Sequence, residues 1–206
     1  MHISEGILEA QWCIAGYAAA APLAGYALKK LDRSEIPKVS VMGAAFFTAS
    51  LLHFPVGFAS SVHLTLIGLT GIILGAQAVL AILTGLFFQA VMFQHGGLTT
   101  LGLNTFTMGT AALLCRGLFL CLRRIANGNG KRRFLSAAGG FISGLGVLFA
   151  ALLVSAVLWI STSEYAGIAA IFSAANGGIA IIEGLAAFFV VDQILRIKPD
   201  LLNHGH

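Results

Sequence analysis

The stretch between Lys38 and Arg116 contains no Asp, Glu, Lys or Arg. Charged residues make up only 10% of the 206-residue chain, and hydrophobic residues make up 58%. A soluble globular domain carries charges at about a quarter of its positions, so this chain has too few to cover its surface in water. The charge-free stretch has room for about three or four membrane-crossing helices of roughly 20 residues each. The sequence therefore predicts an all-α integral membrane protein.

Apolar segments separated by polar or glycine-rich breaks define the predicted topology. They occupy about residues 10–28, 39–52, 64–76, 79–93, 105–122, 134–160 and 167–194. Clusters of Lys and Arg follow the first, fifth and seventh segments, and such clusters mark cytoplasmic loops. About seven transmembrane helices place every cluster inside when the N-terminus lies outside and the C-terminus is cytoplasmic. The second and third segments are short for full crossings, so about six crossings plus a re-entrant piece also fit.

We expect a single membrane domain over residues 1–206. It comprises an extracytoplasmic segment at 1–9, a transmembrane bundle at 10–198 and a cytoplasmic tail at 199–206. The first apolar segment does not match a cleaved signal peptide, because Glu5 and Glu9 precede it and no Lys or Arg does. We therefore expect the N-terminus to be retained.

The retained N-terminus, Met1 followed by His2, is a compact metal chelator. The terminal amine, the deprotonated amide nitrogen of His2 and its imidazole can hold one ion in fused rings. A fourth nitrogen would complete a square-planar set, which is the geometry of Ni(II) or Cu(II). His63, at the start of the third segment, is the first candidate for that position. His53 and His95 are expected on the same outer face and are the alternatives.

Four stretches of the chain together resemble the NikM/CbiM family. They are Met1 to Gly6, the 55–75 stretch with Ser61-Val62-His63-Leu64, Phe93 to Thr105, and Ile182-Glu183-Gly184. The resemblance implies the substrate-capturing membrane subunit of an energy-coupling factor transporter for Ni(II) or Co(II). It also implies metal ligation by the Met1 amine, the His2 amide and imidazole, and the His63 imidazole.

The same resemblance implies partners and a location. Family members work with a small membrane partner subunit, a transmembrane coupling protein and cytoplasmic ATPase subunits, in the cytoplasmic (inner) membrane of a prokaryote. The chain has no Gly-rich phosphate loop with a following Lys-Ser/Thr, so we expect no enzymatic activity of its own and ATP hydrolysis by those partners. Membrane orientation explains the basic clusters, and no nucleic acid is expected as a partner. Membrane lipid should surround the bundle.

We expect Ni(II) to be the transported substrate and Co(II) to be the second candidate, with no organic cofactor. The sequence around His63 resembles nickel-type family members, whereas cobalt-type members carry a Ser-His-Pro-Thr-Gly-like segment. A planar set that includes a deprotonated amide also suits Ni(II) better than Co(II). One departure from the family pattern lies near the last segment, where Asn176 stands in place of a histidine found in many relatives.

Four polar residues are candidates for orienting the two histidines. We expect Glu5, Ser60, Ser61 or Asn104 to accept the remaining ring N–H of His2 or His63. The alternative for each is a local role in a turn or at a helix start, where serine is favoured.

Arg116 and Glu183 are charged residues inside apolar segments, where a charge is usually paired or functional. Helix geometry places both in the inner half of the membrane, where they can form a pair. Two roles stay open for them: a buried ion pair that fixes helix packing, or a part in coupling to the partner proteins. At that depth Glu183 would be too far from the outer surface to bind the metal.

Two other functional classes also fit a membrane protein of this size. A secondary metal transporter would carry acidic and histidine ligands near the membrane midplane, and those are missing here. A metal-independent membrane scaffold would tolerate any change in its first residues. An added residue before Met1 distinguishes that scaffold from a metal-binding subunit.

Overall fold

The structure, a computed structural model, describes residues 2–56, 60–161 and 166–202. For residues 53–56, 60, 61, 166–171 and 173 it describes the backbone alone. Seven α-helices lie in these ranges: α1 (Ala10–Lys29), α2 (Ile36–Ser50), α3 (Ile67–Leu74), α4 (Ala78–Phe93), α5 (Leu101–Ile125), α6 (Lys131–Ser161) and α7 (Ala166–Ile197). The strands described are β1 (His2–Ile3), β2 (His53–Val56) and β3 (Ser60–His63). Short 3₁₀ turns occupy Arg33–Glu35, Gly75–Gln77 and Pro199–Leu202.

Long apolar helices dominate the described chain, as predicted for an all-α membrane protein. Four stretches are long and apolar enough to cross a membrane: Ile67–Phe93, Leu101–Ile125, Lys131–Ser161 and Ala174–Ile197. The first of them joins α3 to α4 through the 3₁₀ turn at Gly75–Gln77. At about 1.5 Å per residue, the eight residues of α3 extend only about 12 Å and cannot cross alone. The number of crossings and the orientation of the termini stay predictions.

The sequence did not predict the small antiparallel sheet, whose strand order is β1-β3-β2. In β1, His2 lies opposite Ser61 and Ile3 lies opposite Ser60. In β2, His53 lies opposite His63. The sheet escaped prediction because its central pairing joins the N-terminus to a distant segment, and a two-residue strand shows no periodicity.

Helix α3 forms the centre of the bundle, and all eight of its residues are buried. A methyl group at Gly68 would collide with Ser143 of α6, and one at Gly71 would collide with the main chain of Ala112 of α5. The missing side chains let three helix backbones approach closely, as small residues do in membrane bundles. The start of α3 is thereby fixed just beyond the end of β3.

Two buried charges bind the two ends of α3. Glu183 Oε1, from α7, accepts hydrogen bonds from the main-chain N–H of Thr65 and from Thr65 Oγ1, the latter at 2.8 Å. Arg116 Nη1, from α5, donates to the carbonyl of Ile72 at 2.6 Å and to that of Leu202 at 3.2 Å. An anion at the start of a helix and a cation at its end both complement the helix dipole.

This arrangement replaces the expected pairing of Arg116 with Glu183. The two side chains bind opposite ends of α3, and none of the ion pairs among the described residues joins them. Glu183 is also closer to the predicted metal site than its position along α7 suggested, because it binds Thr65, which follows His63 by two residues.

Candidate metal centre

The N-terminal segment is fixed through its main chain. Asn104, in the first turn of α5, accepts a hydrogen bond from the N–H of Ile3 at 2.8 Å and donates Nδ2–H to the carbonyl of Ile3 at 3.0 Å. Thr100 Oγ1 donates to the same carbonyl at 3.0 Å. Since β1 also pairs with β3, Ile3 is bound from two sides. The backbone next to His2 therefore has one defined position.

The loop between α4 and α5 binds the next residues of the same segment. The N–H of Glu5 donates to the carbonyl of Gly96 at 2.7 Å. Thr99 Oγ1 donates to Glu5 Oε1 at 2.5 Å, and the N–H of Thr99 donates to Glu5 Oε2 at 3.3 Å. This loop and β3 together enclose the N-terminal segment.

These contacts bring two buried imidazoles together. His2 is 3% exposed and His63 is 1% exposed. Their ring centroids are 4.8 Å apart, and the ring planes make an angle of 43°. The two rings are distant in the sequence but border the same small volume in the structure.

The hydrogen bonding of His63 determines which of its nitrogens is available to a metal ion. Nδ1 lies 3.2 Å from the carbonyl oxygen of Leu64. A carbonyl can only accept, so Nδ1 carries the proton and Nε2 keeps its lone pair. Nε2 is buried and makes no hydrogen bond with the described residues. A neutral imidazole with one lone pair in an enclosed space has the form that a metal ligand requires.

Burial also keeps His63 neutral. Desolvation is the main cause that lowers the pKa of His63 to about 4; nearby His95 adds to this lowering, and the hydrogen bond to Leu64 opposes it. Protons therefore compete weakly for this imidazole near neutral pH.

Gly96 and Gly97 shape the site, a role that the sequence did not predict for them. A methyl group at Gly96 would lie 3.5 Å from His2 Nδ1, and one at Gly97 would collide with the carboxylate of Glu5. Gly96 also has φ of +77°, which glycine adopts without strain. The sequence held two signals for this loop: the Gly-Gly turn after α4, and the family resemblance of the Phe93 to Thr105 stretch. Neither assigned a role to these glycines or to Thr99 and Thr100.

The structure brings together only part of the predicted site. Met1 lies outside the described residues. The side chains of Ser60 and Ser61 are not described, and their backbones pair with β1. The described hydrogen bonds of Glu5 and Asn104 go to Thr99, Thr100 and the main chain of Ile3 rather than to the histidine rings.

The alternatives for the fourth ligand are His95 and His53. His95 lies at the start of the α4–α5 loop, with its ring centroid 6.2 Å from that of Phe93, and it is near enough to His63 to lower the pKa of that imidazole. The side chain of His53 is not described. Within the described ranges, no three His, Cys, Asp or Glu side chains cluster as a metal site. An ion bound between His2 and His63 would need further ligands, such as main-chain or terminal nitrogens.

Comparisons with known proteins identify a family across nearly the whole chain. The family CbiM, described as a cobalt uptake substrate-specific transmembrane region, matches residues 2–201. The cobalt transport protein CbiM of Thermosediminibacter oceani is 34% identical over 204 residues, which cover 94% of this chain and 77% of that protein. The protein of the same name from Kyrpidia tusciae is 32% identical over 215 residues, covering 100% and 87%.

A solved structure has the same fold. A crystal structure described as that of a transition metal transporter matches with a TM-score of 0.84 and 23% sequence identity, covering 96% of this chain and 93% of that one. At that identity the match concerns the fold alone.

Proposed function

This chain belongs to the CbiM family of cobalt-uptake substrate-specific transmembrane proteins, and we propose that it captures Ni(II) at His2 and His63 for import. It is a metal-uptake component of the membrane and not an enzyme. The observation that carries the proposal is the pair of buried imidazoles with ring centroids 4.8 Å apart, at the point where the N-terminus is bound into the sheet.

The proposed ligand set is the Met1 amine, the His2 amide nitrogen, His2 Nδ1 and His63 Nε2. A metal bound to the amine and the amide closes a five-membered ring, and one bound to the amide and Nδ1 closes a six-membered ring. The assignment of His63 Nε2 as the fourth ligand is supported by its buried lone pair, which has no described hydrogen bond. The bonds from Asn104 and Thr100 to Ile3 support it further, since a fixed backbone orients the chelator before the metal arrives.

Ligand chemistry favours Ni(II), whereas the family description supports Co(II), which is our second candidate. Four nitrogens in one plane, including a deprotonated amide, match the square-planar preference of Ni(II). Nickel specificity is therefore tied to the amide nitrogen of His2, and a site that used the imidazoles alone would lose it.

Transport requires partners in this proposal. The captured ion is carried across the inner membrane of a prokaryote by a complex with a small membrane partner subunit, a transmembrane coupling protein and cytoplasmic ATPases. Support comes from the family resemblance and from the basic residues that follow α1, α5 and α7, which favour a cytoplasmic location for those loops.

The experiment that tests the proposal is a titration of purified protein, untagged at its N-terminus, with Ni(II) and Co(II). We expect one tightly bound Ni(II) per chain, with the absorbance band of square-planar nickel. Addition of one residue before Met1 should abolish that band, because the amine moves away from the amide. His63→Ala should weaken binding severely, whereas His95→Ala should leave the nickel spectrum unchanged. Unchanged nickel affinity in the extended protein would refute the ligand set, and tighter binding of Co(II) would make cobalt the substrate.

A further inference from the structure

A basic cavity of about 550 Å³ lies where the first turns of α6 meet the last turns of α7. Arg132 and Arg133 of α6 and Arg196 of α7 line it, together with Asp192 and apolar side chains that include Phe188. Three guanidinium groups and one carboxylate leave two positive charges in this cavity.

Asp192 fixes two of the three arginines. Its carboxylate binds Arg196 Nη2 at 2.7 Å and Arg132 Nε at 3.4 Å, and it accepts a hydrogen bond from Ser136 Oγ at 3.1 Å. The Asp192 side chain is only 13% exposed, whereas those of Arg132 and Arg196 are 42% and 50% exposed. The acid therefore lies behind the guanidinium groups and holds them toward the open side.

An apolar groove continues from this cavity along the same two helices. The groove has a volume of about 480 Å³ and shares Ala137 and Phe188 with the basic cavity. Glycines leave the space between the helices, namely Gly140, Gly144, Gly177 and Gly184. A positively charged cavity is thus continuous with an apolar groove on the surface of two helices that are long and apolar enough to span a membrane.

We propose that this continuous surface binds one anionic phospholipid, with its phosphate at the three arginines and an acyl chain in the groove. A soluble anion would use the arginines and leave the groove empty, and a zwitterionic lipid would use the groove with little gain from the arginines. Only an amphiphile with net negative charge matches both parts. Basic pockets between transmembrane helices at the cytoplasmic end are typical sites for such head groups.

Native mass spectrometry of the delipidated full chain in detergent tests the proposal. Phosphatidylglycerol and phosphatidylcholine with identical acyl chains are titrated in parallel. Arg133→Gln removes one charge without disturbing Asp192, and Arg124→Gln, at the end of α5, is the matched control outside the cavity. Gly177→Leu fills the groove, since nothing lies within 4 Å of a methyl group there, and Gly178→Leu is the control because it is equally open but does not line the groove.

The wild-type chain should retain phosphatidylglycerol in preference to phosphatidylcholine. Arg133→Gln should weaken phosphatidylglycerol binding about fivefold, the effect of one basic residue near a charged head group. Gly177→Leu should weaken it about fourfold for each methylene displaced from the groove. The two control variants should bind phosphatidylglycerol like the wild type.

Four results would overturn the proposal. Equal retention of the two lipids would remove the need for an anionic head group. Equal loss in Arg124→Gln and Arg133→Gln would indicate diffuse attraction to a basic surface. Full displacement of the lipid by inorganic phosphate would assign the arginines to a soluble anion. Unchanged phosphatidylglycerol binding in Gly177→Leu would show that the groove does not hold an acyl chain.

Discussion

Glu183 accepts hydrogen bonds from both the main-chain N–H and the hydroxyl group of Thr65, two residues after His63. The carboxylate is fully buried and comes from α7, the last long helix of the chain. It thus joins the start of α3 to the far end of the sequence and fixes the turn that carries His63 toward His2.

The bond to Thr65 makes a prediction for a matched pair of substitutions. Thr65→Val removes the hydroxyl donor and leaves Glu183 with less compensation for its burial, at a cost of about 1–3 kcal/mol in unfolding free energy. Thr65→Ser keeps the donor and should cost less. Both are measured by thermal unfolding in detergent, with nickel titration as the second readout. Equal stability of the two variants would mean that the hydroxyl contributes nothing to holding this turn.

A substitution of Asn104 tests how strongly nickel binding depends on the position of the N-terminal backbone. It uses its oxygen as acceptor and its nitrogen as donor toward Ile3. Asn104→Asp retains an acceptor but replaces the donor by a charged oxygen facing the carbonyl of Ile3, so we expect nickel affinity to fall by at least about tenfold, equivalent to about 1.4 kcal/mol. Asn129→Asp, in the turn before α6, is the control and should bind nickel normally. An Asn104→Asp protein with wild-type affinity would show that the backbone of Ile3 does not orient the site.

Much of the helical bundle could be predicted from the sequence, because the lengths of the apolar segments and the positions of the charged residues indicate where the helices begin and end. The helices α4 to α7 lie close to the predicted segments. The pairing of β1 with β3 brings the N-terminal segment beside the strand that ends at His63. The roles of Met1, His2 and His63 as ligands stay predictions. The strands themselves were missed because β1 and β3 pair across a long stretch of sequence, and because strands of two to four residues are too short to show a pattern.

The two buried charges show a different limit of sequence reasoning. A carboxylate and a guanidinium inside apolar helices suggest an ion pair, because each needs a partner. Here both partners are the backbone ends of α3, which offer N–H groups to Glu183 and a carbonyl to Arg116. No pattern of residue types reveals that a third, short helix separates them. The contacts of Gly96 and Thr100 with the N-terminal segment were not predicted either, because they join residues more than 90 positions apart in the sequence.

The buried imidazole of His63 predicts how the stability of the metal-free protein depends on pH. Burial lowers its pKa from an ordinary value of 6.5 to about 4. Above pH 6.5 both folded and unfolded chains hold the neutral ring, and as the pH falls from 6.5 toward 4 the unfolded chain binds the proton first. The folded protein should therefore lose stability over that range, by on the order of 3 kcal/mol.

This pH dependence is measured by unfolding the chelator-treated protein at a series of pH values. His63→Gln should flatten the curve between pH 6.5 and 4, since glutamine does not titrate in this window. A variant that keeps the full wild-type slope would assign the loss to other groups.

Two glycines with the same backbone conformation distinguish the effect of backbone strain from the effect of a methyl group in contact with the site. Gly96 and Gly128 both have φ of +77°, but only Gly96 lies against His2 Nδ1, and nothing lies within 4 Å of a methyl group at Gly128. Alanine at either position should cost a similar amount of stability, on the order of 1 kcal/mol, because both residues must adopt a left-handed conformation. Gly96→Ala alone should also weaken nickel binding, since the methyl group would stand 3.5 Å from the nitrogen that we propose as a ligand. Thermal unfolding and nickel titration of both variants check this. If Gly128→Ala weakens nickel binding as much as Gly96→Ala does, the effect comes from general destabilisation and the placement of His2 Nδ1 at the metal loses its support.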